Sequence, residues 1–148
     1  MVPPSSFDYA GDIDAAQAWE QLRNDPKAQL VDVRTMAEWN FVGLPDLSSL
    51  SRRAHCVEWQ TFPTGAQNPA FVTEAAQALS AAGADKSSPV LLLCRSGARS
   101  RAAAMALTAA GFEKAFNVAG GFEGDVDGQG HRGNRNGWKA SGLPWRQG

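Results

Sequence analysis

The sequence predicts an α/β fold: a mostly parallel sheet with helices on both faces. Two observations carry this. Short Val- and Leu-rich runs alternate with Ala-rich stretches of helical spacing, and such alternation makes parallel sheets. The run Pro89 to Cys94 is apolar on both faces, as a strand in the middle of a helix-covered sheet must be. The 148 residues are one domain's worth of chain, and a domain of that size hides roughly 70% of its unfolded surface.

The elements follow in order. Asp14-Ala15-Ala16-Gln17 reads as a capping box opening a helix to about Asn24, with Ile13, Ala16, Trp19 and Leu22 on one side. Gln29 to Val33 reads as a strand. Thr35-Met36-Ala37-Glu38 is a second capping box, starting a short helix through Phe41. Gly43 to Arg53, with Pro45, is expected to be a polar loop, and His55 to Trp59 another strand. Asn68-Pro69 predicts a helix start, an N-cap followed by Pro at the first helical position. That helix runs to about Ala82 and stops at Gly83. The central strand is followed by a helix from Arg99 to Ala110, stopped by Gly111, and by a last strand from Lys114 to Val118. From Gly120 to Gly137 seven of 18 residues are glycine, which predicts an irregular surface loop, ordered or partly mobile. Trp138, Leu143, Pro144 and Trp145 are expected to pin the tail back onto the domain.

Composition narrows the function. Apolar residues make up 43% and charged residues 20%, with a net charge of -1, so nothing favours nucleic acid or an acidic membrane surface. No apolar run approaches the ~18 residues of a membrane helix, and Met1 to Ser6 lacks the basic and apolar regions of a signal peptide; a cytoplasmic protein is expected. Two cysteines, Cys56 and Cys94, are too few for a disulfide scaffold. His55 and His131 are not spaced as zinc ligands. No metal or cofactor is expected.

The informative stretch is Leu91-Leu92-Leu93-Cys94-Arg95-Ser96-Gly97-Ala98-Arg99-Ser100. A buried strand delivers Cys94 to its C-terminal end, where open α/β sheets bind ligands, and a tight loop feeds straight into a helix. The helix N-terminus, a nest of loop N–H groups from residues 95 to 99, and the charges of Arg95 and Arg99 would each favour thiolate over thiol and attract an anion. The nucleophile then needs no histidine base. The alternative is an inert, packed cysteine. That reading suits Cys56, set among apolar strand residues, but leaves the two arginines and the glycine beside Cys94 without a purpose.

Cys94-Arg95-Ser96-Gly97-Ala98-Arg99-Ser100 resembles the active loop of the rhodanese family. Asp32-Val33-Arg34 with Glu38-Trp39 resembles that family's Asp-x-Arg…Glu-Trp/Phe signature, and Asn117-Val118-Ala119-Gly120-Gly121 its segment after the last strand. The resemblance implies a rhodanese-like five-stranded sheet and a single rhodanese domain over 1–148. The core would span about 8–122, with 123–148 as glycine-rich loop and packed tail. It also implies sulfur transfer from thiosulfate or a persulfide donor to cyanide or a thiol acceptor, through a persulfide on Cys94. Arg95, Ser96, Gly97, Ala98 and Arg99 would bind substrate, while Asp32, Arg34 and Glu38 would form a supporting hydrogen-bonded network. The implied partners are a small anionic donor, a thiophilic acceptor and an unidentified acceptor protein. The alternative is a persulfide carrier or regulatory module that acts with a protein partner without turnover of its own. Phosphatase or arsenate reductase activity is a remoter reading. Four residues separate Cys94 from Arg99, one fewer than in the phosphate-cradling loops of related phosphatases.

Val42-Gly43-Leu44-Pro45-Asp46 departs from the family's common Gly-His-Ile-x-Gly-Ala, and Gly120 to Trp138 is longer than in minimal members; both reshape the expected pocket rim. Trp59, with Phe62 and Pro63 nearby, reads as core rather than pocket mouth. His131 and Arg132 read as solvated loop rather than anion contacts, and Met105, Ala106 and Leu107 as core.

Overall fold

The computed structural model describes residues 9–61 and 64–147; Phe62 and Pro63 lie outside the described residues. Five strands form one parallel sheet: β1 (Gly11–Ile13), β2 (Gln29–Asp32), β4 (His55–Cys56), β5 (Val90–Leu93) and β6 (Ala115–Val118), in the order β1-β6-β5-β2-β4. β5 is central, and all four of its residues are buried, as its two-sided apolarity predicts.

Alternation along β5 separates two cores. Val90, Leu92 and Cys94 join Val31, Val33, Phe71 and Leu107 on one face. Leu91 and Leu93 join Leu22, Leu30, Val118, Phe122 and Trp138 on the other. The first face is covered by α3 (Phe71–Ala81) and α4 (Ala98–Ala109), the second by α1 (Ala15–Asn24) and α5 (Gly137–Ala140). The period-two pleat therefore aims the Cys94 side chain under α4.

Both capping boxes form in full. Asp14 accepts from the Gln17 amide while the Gln17 side chain accepts from the Asp14 amide, and Thr35 and Glu38 do the same ahead of α2 (Met36–Phe41). Asp14→Ala is expected to cost about 1 kcal/mol, measured by urea unfolding.

The structure corrects several expectations. The inward stripe of α1 is Ala15, Ala18 and Leu22, with Ala16 exposed; two adjacent alanines give composition no means of choosing the phase. The helix after Asn68 begins only at Phe71. Asn68 holds the preceding turn, its side-chain oxygen accepting from the Ala70 amide and its carbonyl from the Phe71 amide, so Pro69 sits in that turn. The strand from His55 is regular only to Cys56, although amides of Val57 and Trp59 still donate to Asp32 and Val33 carbonyls. Met105 is 38% exposed, while Leu107 is buried.

Gly43 to Arg53 is more than a polar loop. Leu44–Pro45 forms β3, antiparallel to β7 (Trp145–Arg146), Leu47 is buried, and Arg52 reaches back to the carbonyls of Leu22 and Ala28. Lys114 to Val118 is therefore not the last strand. In the tail Trp138 is buried, meets Trp19 edge-to-face and donates from Nε1 to the Pro144 carbonyl at 2.7 Å. The glycine-rich stretch is irregular but internally bonded: the Gly133 amide donates to Glu123 O, and Asp127 Oδ1 accepts from the amides of Gln129 and His131. Among the described residues, no helix is long and apolar enough to cross a membrane.

Candidate active site

β5 ends at Leu93, and the chain turns within four residues into α4. Gly97 makes that turn with φ +119°, a region open to glycine and costly for other residues. The turn brings the Gly97 amide to 3.1 Å from Cys94 Sγ, and the first turn of α4 brings Ser100 Oγ to 3.2 Å. The floor is tied to the segment after β6. The Phe122 amide donates to Cys94 O, and the amides of Glu123 and Gly124 donate to Arg95 O. Gly121 passes so close that a Cβ there would lie 2.6 Å from Arg95 O, which explains a glycine at this position without any direct part in chemistry.

The expected ring of five loop amides is therefore one amide and one hydroxyl: the other amides of residues 95 to 99 make no hydrogen bond to Sγ. Cys94 is only 2% exposed. The sulfur is set low in the loop, beneath Gly97 and against Ser100, rather than standing open at its rim. Arg95 and Ala98 are exposed and Ser96 is half-buried.

Arg99 is not a free cation. It grips Glu38 with both terminal nitrogens, at 2.7 and 2.9 Å, the bidentate fork that suits guanidinium and carboxylate. Burial alone would raise the Glu38 pKa, but the Arg99 hydrogen bonds and charge outweigh it and hold the carboxyl below its ordinary 4.5. Hydrogen bonding to Glu38 likewise raises Arg99. Because the folded Glu38 pKa is depressed, its contribution is present above the unfolded value and lost as pH falls through the folded one. Glu38→Gln is expected to cost about 1–2 kcal/mol at neutral pH. The gap from wild type, read by urea unfolding, should shrink as pH falls below the usual carboxylate range.

Asp32 and Arg34 form a separate buried pair, at 2.9 and 2.7 Å. Arg34 also donates to Gly43 O at 2.7 Å and lies 4.3 Å over the Phe122 ring. Asp32 shares the register of Leu93, so the pair stands on the face opposite Cys94. The expected single network of Asp32, Arg34 and Glu38 is thus two pairs, of which only Glu38–Arg99 borders the loop after Cys94.

Above the loop lies an open depression of about 640 Å³ lined by Thr35, Glu38, Phe41, Arg95, Arg99 and Arg132, among others. Arg132 was expected in solvated loop; instead it is half-buried, with Nη1 donating to Gly124 O at 2.6 Å. His131 is exposed. Trp59 packs edge-to-face on Phe71 at 5.1 Å and does not line the depression. A second depression, about 620 Å³, borders Cys56. Cys56 is exposed at the sheet edge, contrary to expectation, because among the described residues β4 has no outer neighbour. Partial desolvation, then the Asp32 carboxylate, push its thiol up to about 12, so it is a poor nucleophile. Among the described residues no three His, Cys, Asp or Glu side chains gather as metal ligands.

Sequence reasoning passed over Ser100, Asn117 and Asp12. Ser100 Oγ also lies 2.6 Å from Asn117 Oδ1, and Asn117 Nδ2 donates to Asp12 Oδ1 at 3.0 Å. Ser100 and Asn117 stood inside recognisable segments, but only the strand order brings them together.

Comparison with known proteins places this architecture. The family model described as the STR4 middle domain matches residues 10–148. The chain is 32% identical over 133 residues to the uncharacterised protein RC0915 of Rickettsia conorii, covering 89% of this chain and 94% of that one. It is 31% identical over 136 residues to the protein THYLAKOID RHODANESE-LIKE, chloroplastic, of Oryza sativa subsp. indica; the match covers 91% of this chain but 25% of the rice protein. The crystal structure of Rv0390 from M. tuberculosis superposes with a TM-score of 0.84 at 52% identity, over 95% of this chain and 99% of that one.

Proposed function

The chain belongs to the STR4 middle-domain family, a rhodanese-like family, and from that premise we propose that it is a sulfurtransferase in which Cys94 carries the transferred sulfur. Its α/β sheet is rhodanese-like. The observation that supports the reading most directly is Cys94 Sγ at the carboxyl end of the central strand, held by the Gly97 amide at 3.1 Å and the Ser100 hydroxyl at 3.2 Å.

In the first half-reaction the Cys94 thiolate attacks the sulfane sulfur of an anionic donor such as thiosulfate. The donor's S–S bond breaks, sulfite leaves with the electron pair, and a new S–S bond leaves a persulfide on Cys94. In the second, cyanide or a thiolate attacks the outer sulfur, the persulfide bond breaks, and Cys94 thiolate returns. Arg95 and Arg132 on the rim supply positive charge for the donor; Arg99, forked to Glu38, does so only in part. Ser96 and Ala98 serve as loop backbone. The unit that acts is one domain over 1–148. A cytoplasmic location belongs to the same proposal; the rice relative is chloroplastic by name.

A second reading has its own observation. With Cys94 2% exposed and Arg99 bound to Glu38, the loop rests nearly closed, as a persulfide carrier that opens only against a partner protein would. Intact-mass detection of one added sulfur after incubation with thiosulfate or a thiol persulfide, beside a steady-state thiosulfate–cyanide assay, tests both. Loading with turnover is expected of the enzyme, with ping-pong kinetics; loading without turnover indicates the carrier. If the protein takes up no sulfur and turns over no donor, the proposal is overturned.

A further inference from the structure

The hydrogen bonds behind Cys94 contain a competition for one proton. Ser100 Oγ has a single hydrogen and three acceptors in reach: Asn117 Oδ1 at 2.6 Å, Cys94 Sγ at 3.2 Å and Gly97 O at 3.3 Å. All three side chains of this chain, Cys94, Ser100 and Asn117, are buried, so water does not settle the contest.

The orientation of the Asn117 amide decides it. Asn117 Nδ2 meets Asp12 Oδ1 at 3.0 Å, and the same oxygen accepts from Tyr9 OH at 2.9 Å. A carboxylate only accepts, so the amide must turn its nitrogen to Asp12 and its oxygen to Ser100. While Sγ is neutral, as a thiol or as the inner sulfur of a persulfide, it is a weak acceptor, and the hydroxyl proton rests on Asn117. Once Sγ is a thiolate, a charge-assisted bond competes for the same proton.

We propose that Asn117, oriented by Asp12, is a positioning residue that parks the Ser100 proton away from Cys94 Sγ until negative charge collects on that sulfur. This rests on the reading of Cys94 as the sulfur-carrying nucleophile. In the second half-reaction an acceptor nucleophile bonds to the outer sulfur, the Sγ–S bond breaks, and its electron pair stays on Sγ. The Ser100 hydroxyl then swings about its Cβ–Oγ bond from Asn117 onto Sγ. No proton is transferred; a hydrogen bond is moved to the place where the leaving-group charge appears. The Gly97 amide donates throughout. β1 thus has a task beyond pairing with β6, because it carries Asp12 to the far end of the relay.

The charged groups around the sulfur are Arg95, Arg99 forked to Glu38 of α2, the Asp32–Arg34 pair at the end of β2, and Asp12 behind Asn117. The decisive variants leave all but Asp12 unchanged. The readout is the pH midpoint of Cys94 alkylation by iodoacetamide, followed by peptide mass. Asn117→Leu removes the nearest competing acceptor, leaving only the more distant Gly97 O, and is expected to lower the midpoint by about one pH unit, whereas Ser100→Ala should raise it by a similar amount. Because Asn117 acts only through Ser100, the double variant should match Ser100→Ala. Asp12→Ala, at an exposed position, releases the amide and should shift the midpoint in the same direction as Asn117→Leu, which keeps the test alive should Asn117→Leu fold poorly. A midpoint that rises in Asn117→Leu or in Asp12→Ala, or a shift by either that persists in the Ser100→Ala background, overturns the relay; a purely structural role for Asn117 would give neither the sign nor the dependence on Ser100. The titration needs no sulfur donor. If wild-type protein takes up no sulfur while these shifts hold, the sulfur-transfer reading fails and the relay stands.

Discussion

Cys94→Ala is expected to abolish sulfur loading and to reduce turnover to the uncatalysed background, with unfolding close to that of wild type. On the proposed reading, no second thiol of the chain can take the place of Cys94. Among the described residues the other thiol is Cys56, whose pKa is pushed up to about 12 and which pairs in register with Asp32 on an edge strand. It lacks the bonds from Gly97 and Ser100 that Cys94 Sγ receives. The structural cost is small, because removing one sulfur from the end of β5 leaves the alternating leucines beneath it in place, and a small core truncation costs about 1 kcal/mol. Cys56→Ala should leave both loading and turnover intact. Intact-mass measurement after donor treatment decides the matter: an added sulfur that persists in Cys94→Ala, or vanishes in Cys56→Ala, removes Cys94 from its assigned role.

The parts of this site that a reader of the sequence can find are those written locally. The strand–loop–helix passage through Cys94 is contiguous, and both capping boxes lie within four residues. β1 is different: Gly-Asp-Ile makes no apolar run, and its three residues become a strand only because β6 offers an unpaired edge. Everything Asp12 does follows from that pairing. Asn117 and Ser100 meet because β6 and α4 flank the end of β5, and the Arg99–Glu38 fork spans 61 residues of chain. That fork also reverses an expectation, since an arginine counted as free charge for an anion is already committed to a carboxylate. Cys56 was misplaced for a related reason. Its burial depended on whether β4 was an internal or an edge strand, which is a property of sheet order rather than of neighbouring residues.

The largest stability effect should come from Asp32→Ala, expected to cost about 3–5 kcal/mol, the usual result of leaving one partner of a buried ion pair behind. Arg34 is fully buried, and its Nη1 already has no hydrogen-bond partner among the described residues. Without Asp32 it would keep only the Gly43 carbonyl and the Phe122 ring, too little to hold a guanidinium charge away from water. The damage should spread toward Cys94 through Phe122, whose amide donates to Cys94 O, so loading should fall along with stability. Asp32→Asn retains one acceptor and should lose less. Replacing both partners, Asp32→Leu with Arg34→Met, removes the stranded charge and should recover much of the loss in urea unfolding, because an apolar pair of similar volume often substitutes for a buried ion pair. If the double replacement is as unstable as Asp32→Ala, the pair's worth lies in its specific bonds to Gly43 and Phe122 and not in the neutralised charge. Loading measured on the same variants then separates the two consequences. A double variant that folds well yet loads poorly would mean that Arg34 sets the position of Phe122, and through it the floor of the loop.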